Sequence, residues 1–138
     1  MYAFVVKNDE GTWDIWRTLE DIPIPTKKAR VEDALASGNP ITGQNVTEYK
    51  SSVRNGSVWN GTDFTGGDEA SWLTGTDLKL YAYICNDTVI LLHLEQPNAV
   101  TNDLLDAVFE SDNTMIKLPE GQTAKVGDVW DGETVIVK

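Results

Sequence analysis

The same strand-and-turn pattern occurs twice in this chain, which restricts it to folds assembled from short antiparallel hairpins. Tyr2-Ala3-Phe4-Val5-Val6, followed by Asn8-Asp9, is matched by Tyr81-Ala82-Tyr83-Ile84-Cys85, followed by Asn86-Asp87. Further along, Val58-Trp59-Asn60-Gly61-Thr62-Asp63-Phe64 is matched by Val129-Trp130-Asp131-Gly132-Glu133-Thr134-Val135, with Arg54 and Gly56 answering Lys125 and Gly127. The members of the first pair stand further apart in the chain than those of the second, so a common origin requires a change in length between them. A duplication and a chance likeness between short hairpins both fit such matches. This reading places one domain over residues 1–138, with related halves 1–67 and 80–138 and a joint at 68–79.

With 138 residues the chain is long enough to bury a core without disulfides or metals. Its apolar stretches, Met1 to Val6 and Leu80 to Cys85, are too short to span a bilayer. The Met1–Lys7 segment reads as a strand and lacks the basic start and cleavage pattern of a leader. The single Cys85 lies among apolar strand residues, as expected of a buried inert thiol in a protein made in a reducing cytoplasm.

Charge is unevenly placed. Residues 1–62 carry eight acidic and seven basic side chains, a net of −1, whereas residues 63–138 carry fourteen and four, a net of −10. Such a field repels phosphate backbones and argues against nucleic acid as a partner. A solvated acidic surface is the simplest reading, and a basic partner surface or divalent cations are the alternative.

The expected class is α+β, mainly β, built of hairpins and meanders with two short helices. Strands are predicted over 2–7 and 12–16. Thr26 is the expected cap of a helix over 27–35 that ends at Gly38. Residues 39–67 read as turns between short strands, with any disorder confined to 37–50. Asn55-Gly56 and Asn60-Gly61 predict a three-stranded meander, and Asp68 caps one helical turn ending at Leu73. In the second half, strands are expected over 78–84 and 89–94. Thr101 caps a helix over 102–110, with Leu104, Leu105, Val108 and Phe109 as its apolar stripe. Residues 115–118, 122–126 and 134–137 complete the strands.

Catalytic signals are weak, and the chain reads as non-enzymatic. His93 lies within an apolar strand without a nucleophile motif. The acidic pairs, and Asp103 with Asp106 on one helical face, suit a solvated surface. The Asn8–Gly11 and Asn86–Thr88 turns are oxygen-rich but lack an EF-hand pattern, so no metal or cofactor is expected. The four N-x-S/T asparagines, Asn45, Asn55, Asn60 and Asn86, read as turn residues.

Tryptophans are the candidate binding residues: Trp16, Trp72, Trp59 and Trp130. Trp13 and Trp16 lie three apart on one strand and so face opposite ways. Trp59 and Trp130 precede turns, where an indole seals a core. An exposed Trp16 or Trp72 suits a glycan surface or a subunit interface.

Met1-Tyr2-Ala3-Phe4-Val5 at one end and Val126-Gly127-Asp128-Val129-Trp130-Asp131-Gly132-Glu133-Thr134-Val135 at the other resemble small structural proteins of tailed bacteriophages. The stretch Lys125 to Val137 is similar to the closing hairpin of tail-fibre and fibre-assembly proteins. The resemblance covers under a fifth of the chain, and no fibre shaft or heptad repeat accompanies it. It implies a virion protein, most simply a capsid decoration or surface accessory protein that binds other virion proteins or itself in a symmetric oligomer. A tail-fibre-associated receptor- or glycan-binding module, or a fibre-assembly protein, is the alternative.

Overall fold

The computed structural model describes residues 1–68 and 77–138. Along them run β1 (Tyr2–Lys7), β2 (Trp13–Leu19), α1 (Pro25–Ala36), β3 (Ile41–Asn45), β4 (Val58–Trp59) and β5 (Phe64–Thr65). These are followed by β6 (Lys79–Cys85), β7 (Thr88–Glu95), α2 (Ala99–Phe109), β8 (Asn113–Lys117), β9 (Val129–Trp130) and β10 (Val135–Ile136). The fold is α+β and mainly β. No helix among the described residues is long and apolar enough to cross a membrane.

The strands form two antiparallel five-stranded sheets, ordered β8-β1-β2-β9-β10 and β3-β6-β7-β4-β5. Replacing β1, β2, β8, β9 and β10 by β6, β7, β3, β4 and β5 converts one order into the other. Each half therefore follows the same path of hairpin, helix, strand and closing hairpin. Each also donates its last strand and closing hairpin to the other half's sheet: β3, β4 and β5 flank β6–β7, and β8, β9 and β10 flank β1–β2.

The correspondence extends to individual bonds. The β1–β2 register shifts between Phe4 and Val5, and the β6–β7 register shifts at the matching step, between Tyr83 and Ile84. Gly56 N–H donates to Val89 O as Gly127 N–H donates to Ile15 O, and Val46 N–H donates to Leu80 O as Leu118 N–H donates to Met1 O. Asn60 Oδ1 accepts from the N–H groups of Thr62 and Asp63, and Asp131 Oδ1 from those of Glu133 and Thr134. Tyr2 answers Tyr81, Trp16 answers Ile90, Asn45 answers Lys117 and Val58 answers Val129, so the second half is shortened in steps along its length. Most of the change lies in the first hairpin. There Asn8 Oδ1 closes a long turn by accepting from Glu10 and Thr12, whereas Asn86 and Asp87, with φ of 54° and 62°, close the other in two residues.

The largest core lies between the sheets and beneath both helices, with Phe4, Tyr83, Ile90, Met115, Val31 and Leu105 among its buried members. Smaller cores lie around Val53, Phe64 and Leu80, and around Val5, Ile15 and Trp130. At each β-bulge two adjacent side chains turn towards the space between the sheets, because the extra residue disrupts the alternation of faces. Ile90 and Leu91 are both buried there, and Trp16 and Arg17 border one cavity.

Several local expectations are corrected. Helix α1 begins at Pro25 with Ile24 as N-cap and no side-chain cap, because Pro at the first position needs no N–H partner and Thr26 is already helical. The cap of α2 is Asn98, whose Oδ1 accepts from Thr101 N–H at 3.1 Å. Leu104 is 66% exposed, so the buried face of α2 runs through Asn102, Leu105 and Phe109 instead. Residues 37–50 are not disordered: they contain β3, which pairs with β6, and a single 3-10 turn at Thr47–Tyr49. Asn55-Gly56 does not join two strands, since the chain before it is a turn at residues 50–52, closed by Val53 N–H to Tyr49 O. The meander is therefore the two-stranded β4–β5 hairpin. Residues 122–126 are not a strand, and the helical turn expected after Asp68 lies outside the described residues.

Candidate functional site

Between the sheets, β2 faces β7 across a partly open cavity of about 230 Å³. Its wall includes both members of equivalent pairs from the two halves: Phe4 with Tyr83, Arg17 with Leu91, and Leu19 with His93. That composition places the cavity on the pseudo-two-fold relation between the halves. Trp16, one of the sequence candidates, lies at this wall, packed against Phe4 and Phe109 with ring centroids 6.0 and 5.6 Å apart.

Two polar atoms here are buried without a well-formed partner, Trp16 Nε1 and the Tyr83 hydroxyl. They approach each other closely enough to act on Tyr83's ionisation, yet without hydrogen-bond geometry. Burial above all drives the Tyr83 pKa upward, so the phenol keeps its proton. Leaving such a group unpaired costs about 1–3 kcal/mol.

At the rim, Arg17 reaches from one sheet to the other. Its Nη2 lies 3.3 Å from Glu95 Oε1, and its Nη1 touches the His93 ring nitrogens. His93 Nε2 lies 2.6 Å from Glu95 Oε1. Burial, followed by the Arg17 charge, lowers the His93 pKa and outweighs Glu95, so the imidazole is neutral near pH 7. Lys27 also borders the cavity, its pKa lowered by burial, and it makes no ion pair among the described residues. Asp21 is occupied by Lys28 Nζ at 2.8 Å and by Ile22 N–H at 2.8 Å.

The other tryptophans lie elsewhere. Trp59 packs on Tyr49 and Phe64 with centroids 5.4 and 4.9 Å apart, at the edge of an outer groove of about 420 Å³ that also has Gln44, Glu48 and Asp87 in its wall. Trp130 is buried in the small core around Val5 and Ile15. Trp72 lies outside the described residues. Trp13 and Trp16 point into different cores, as their spacing requires.

Sequence reasoning missed a matched pair of polar clamps. The Tyr2 hydroxyl donates to Glu32 Oε1, which also accepts from Lys117 Nζ at 3.0 Å. Equivalently, the Tyr81 hydroxyl donates to Asp106 Oδ1 at 2.9 Å, and Asn45 Nδ2 donates to the same oxygen at 2.8 Å. Asp106 is thus a structural acceptor and not merely part of a solvated face. The repeat carried only part of the signal: Tyr2 answers Tyr81 in the opening strands, but Asp106-Ala107-Val108 matches Asp33-Ala34-Leu35 in sequence, and it is the clamp geometry that pairs Asp106 with Glu32. Burial first, then the bond to Glu32, pushes the Tyr2 pKa up to about 12.

Among the described residues no three metal-ligating side chains converge. Comparisons of the chain with protein-family models, curated proteins and solved structures return no match.

Proposed function

We propose that the protein is a non-enzymatic structural component of a phage virion, a capsid decoration or surface accessory protein that attaches to other virion proteins through the edge formed by its closing β9–β10 hairpin. The supporting observation is an exposed apolar patch with an internal control. Val126, Ile136 and Val137 are 68%, 42% and 78% exposed, and β10 is the outer strand of its sheet. Lys138 N–H donates to Asp128 Oδ1 at 3.3 Å, which holds this last segment beside residues 126–128. The equivalent positions in the first half are Asn55, Thr65 and Gly66, none of them apolar and large. The outer strand of the closing hairpin thus carries exposed apolar side chains in one half only, the other hairpin exposing Val58 on its inner strand β4, as expected of a surface that adds to a neighbour's sheet or packs on its face. These residues belong to the stretch that resembles the closing hairpin of tail-fibre proteins.

The test is light scattering of the purified protein, alone and mixed with empty shells from the same phage. Association at a fixed ratio to shell subunits, lost in Ile136→Asp/Val137→Asp while circular dichroism is unchanged, is the supporting result. Failure to associate removes the decoration reading.

A second reading, a tail-associated glycan-binding module, draws on the Trp59 groove, where an aromatic cluster meets Gln44, Glu48 and Asp87. A glycan array with wild type and Trp59→Ala tests it.

A further inference from the structure

The halves provide an internal comparison that isolates what is unusual about the cavity between β2 and β7. At four equivalent pairs, one member is apolar and the other, at the cavity wall, carries a polar group. Phe4 stands against Tyr83, Ile90 against Trp16, Leu91 against Arg17 and Leu19 against His93. All four polar members border the same cavity. The apolar members show what suffices for packing at these places, since Ile90 and Leu91 lie buried in the central core. Replacing such residues by Tyr, Trp, Arg and His adds groups that need partners, and two of them, Trp16 Nε1 and the Tyr83 hydroxyl, have none in hydrogen-bond geometry. Arg17 and His93 are partnered by each other and by Glu95, so Trp16 Nε1 and the Tyr83 hydroxyl are the groups that packing leaves without a role.

We propose that this cavity is a binding site for a small aromatic carboxylate. Its aromatic wall, formed by Phe4, Trp16 and Tyr83, suits a flat ring. The indole N–H and the phenol O–H are donors awaiting an acceptor oxygen. The Lys27 ammonium, without an ion pair among the described residues, supplies positive charge at the mouth, while Asp21 is already neutralised by Lys28. Size is compatible, because an apolar cavity of about 150 Å³ accommodates benzene and this one measures about 230 Å³. The site is separate from the β9–β10 edge and does not depend on the virion reading.

The experiment uses 15N-labelled full-length protein, whose five tryptophans give separate indole N–H signals. Trp16 is identified by its loss in Trp16→Phe. Titration with 4-hydroxybenzoate is expected to shift the Trp16 signal saturably while those of Trp59 and Trp130 stay in place, with the neutral 4-hydroxybenzyl alcohol binding about tenfold more weakly. Lys27→Gln, with circular dichroism unchanged, is expected to abolish that preference. Tyr83→Phe is expected to weaken both ligands about tenfold. An unmoved Trp16 signal at millimolar 4-hydroxybenzoate overturns the proposal. So does equal binding of the charged and neutral compounds, or a preference that survives Lys27→Gln.

Discussion

Glu32 and Asp106, one from each helix, perform the same task in the two halves: each accepts the hydroxyl of a tyrosine from its own half and a side-chain N–H from the strand the other half donates. The donors, Lys117 and Asn45, differ in chemistry but occupy equivalent strand positions opposite Tyr2 and Tyr81. The clamps therefore fasten each helix to a sheet built from both halves.

Loss of the Tyr81 hydroxyl leaves Asp106 with one fewer donor and little change in packing. Tyr81→Phe is expected to lower unfolding stability by about 1–2 kcal/mol, read as a lower urea midpoint at unchanged m-value. Asp106→Ala, which also strands the Tyr81 hydroxyl and Asn45, is expected to cost more. Equal effects of the two substitutions would refute a shared acceptor.

His93 makes stability depend on pH on the acid side of neutrality. Its folded pKa lies below the ordinary 6.5, so the unfolded chain takes up the proton first. The contribution is present above about pH 6.5 and disappears as pH falls from there through the lowered folded value. His93→Gln is expected to flatten the urea midpoint between pH 7.5 and 5.5, relative to wild type. An identical slope in the variant would mean that carboxylates alone set the acid limb.

Gly43 is required by its neighbours and not by its backbone angles. A Cβ there would lie 2.3 Å from Asn113 Oδ1 and 2.6 Å from the Phe109 ring. The equivalent residue in the other half is Met115, a buried core residue, and the equivalent of Phe109 is the smaller Leu35. A large helix residue meets a small strand residue in one half, and the sizes are reversed in the other. Gly43→Ala is expected to destabilise by about 2–3 kcal/mol, with partial recovery in Gly43→Ala/Phe109→Leu, measured by thermal and chemical unfolding.

Because each half completes the other's sheet, neither half should fold fully alone. Fragments 1–68 and 77–138, mixed after separate purification, are expected to associate one to one and gain β-structure by circular dichroism, whereas each alone remains largely unfolded. A fragment with a cooperative unfolding transition by itself would contradict the interleaved arrangement.

The sequence was legible where local chemistry decides the outcome. Tyr2-Ala3-Phe4-Val5-Val6 and its counterpart at Tyr81 alternate and branch as strands do, and Asn86-Asp87 tolerates the left-handed turn between β6 and β7. The opposed directions of Trp13 and Trp16 followed from strand periodicity. Less legible was β3, whose Ile41-Thr42-Gly43-Gln44-Asn45 has little strand character and is extended because β6 supplies its hydrogen-bond partners. Likewise, the cap of α2 shifted from Thr101 to Asn98 because the helix starts earlier than its apolar pattern suggests.

By itself, then, the sequence determined the mainly β class, the two helices, the acidic second half and the repeated hairpin pattern, all consequences of side-chain type and spacing over short distances. Tertiary structure alone decided that the halves exchange strands, that the two β-bulges bring Ile90 and Leu91 into the core and Trp16 and Arg17 to a cavity, and that Trp16, Arg17, Tyr83 and His93 meet at that cavity. The reason is physical: strand pairing between distant segments depends on which exposed edge and which apolar face each can satisfy at once, and no local window of sequence contains both partners.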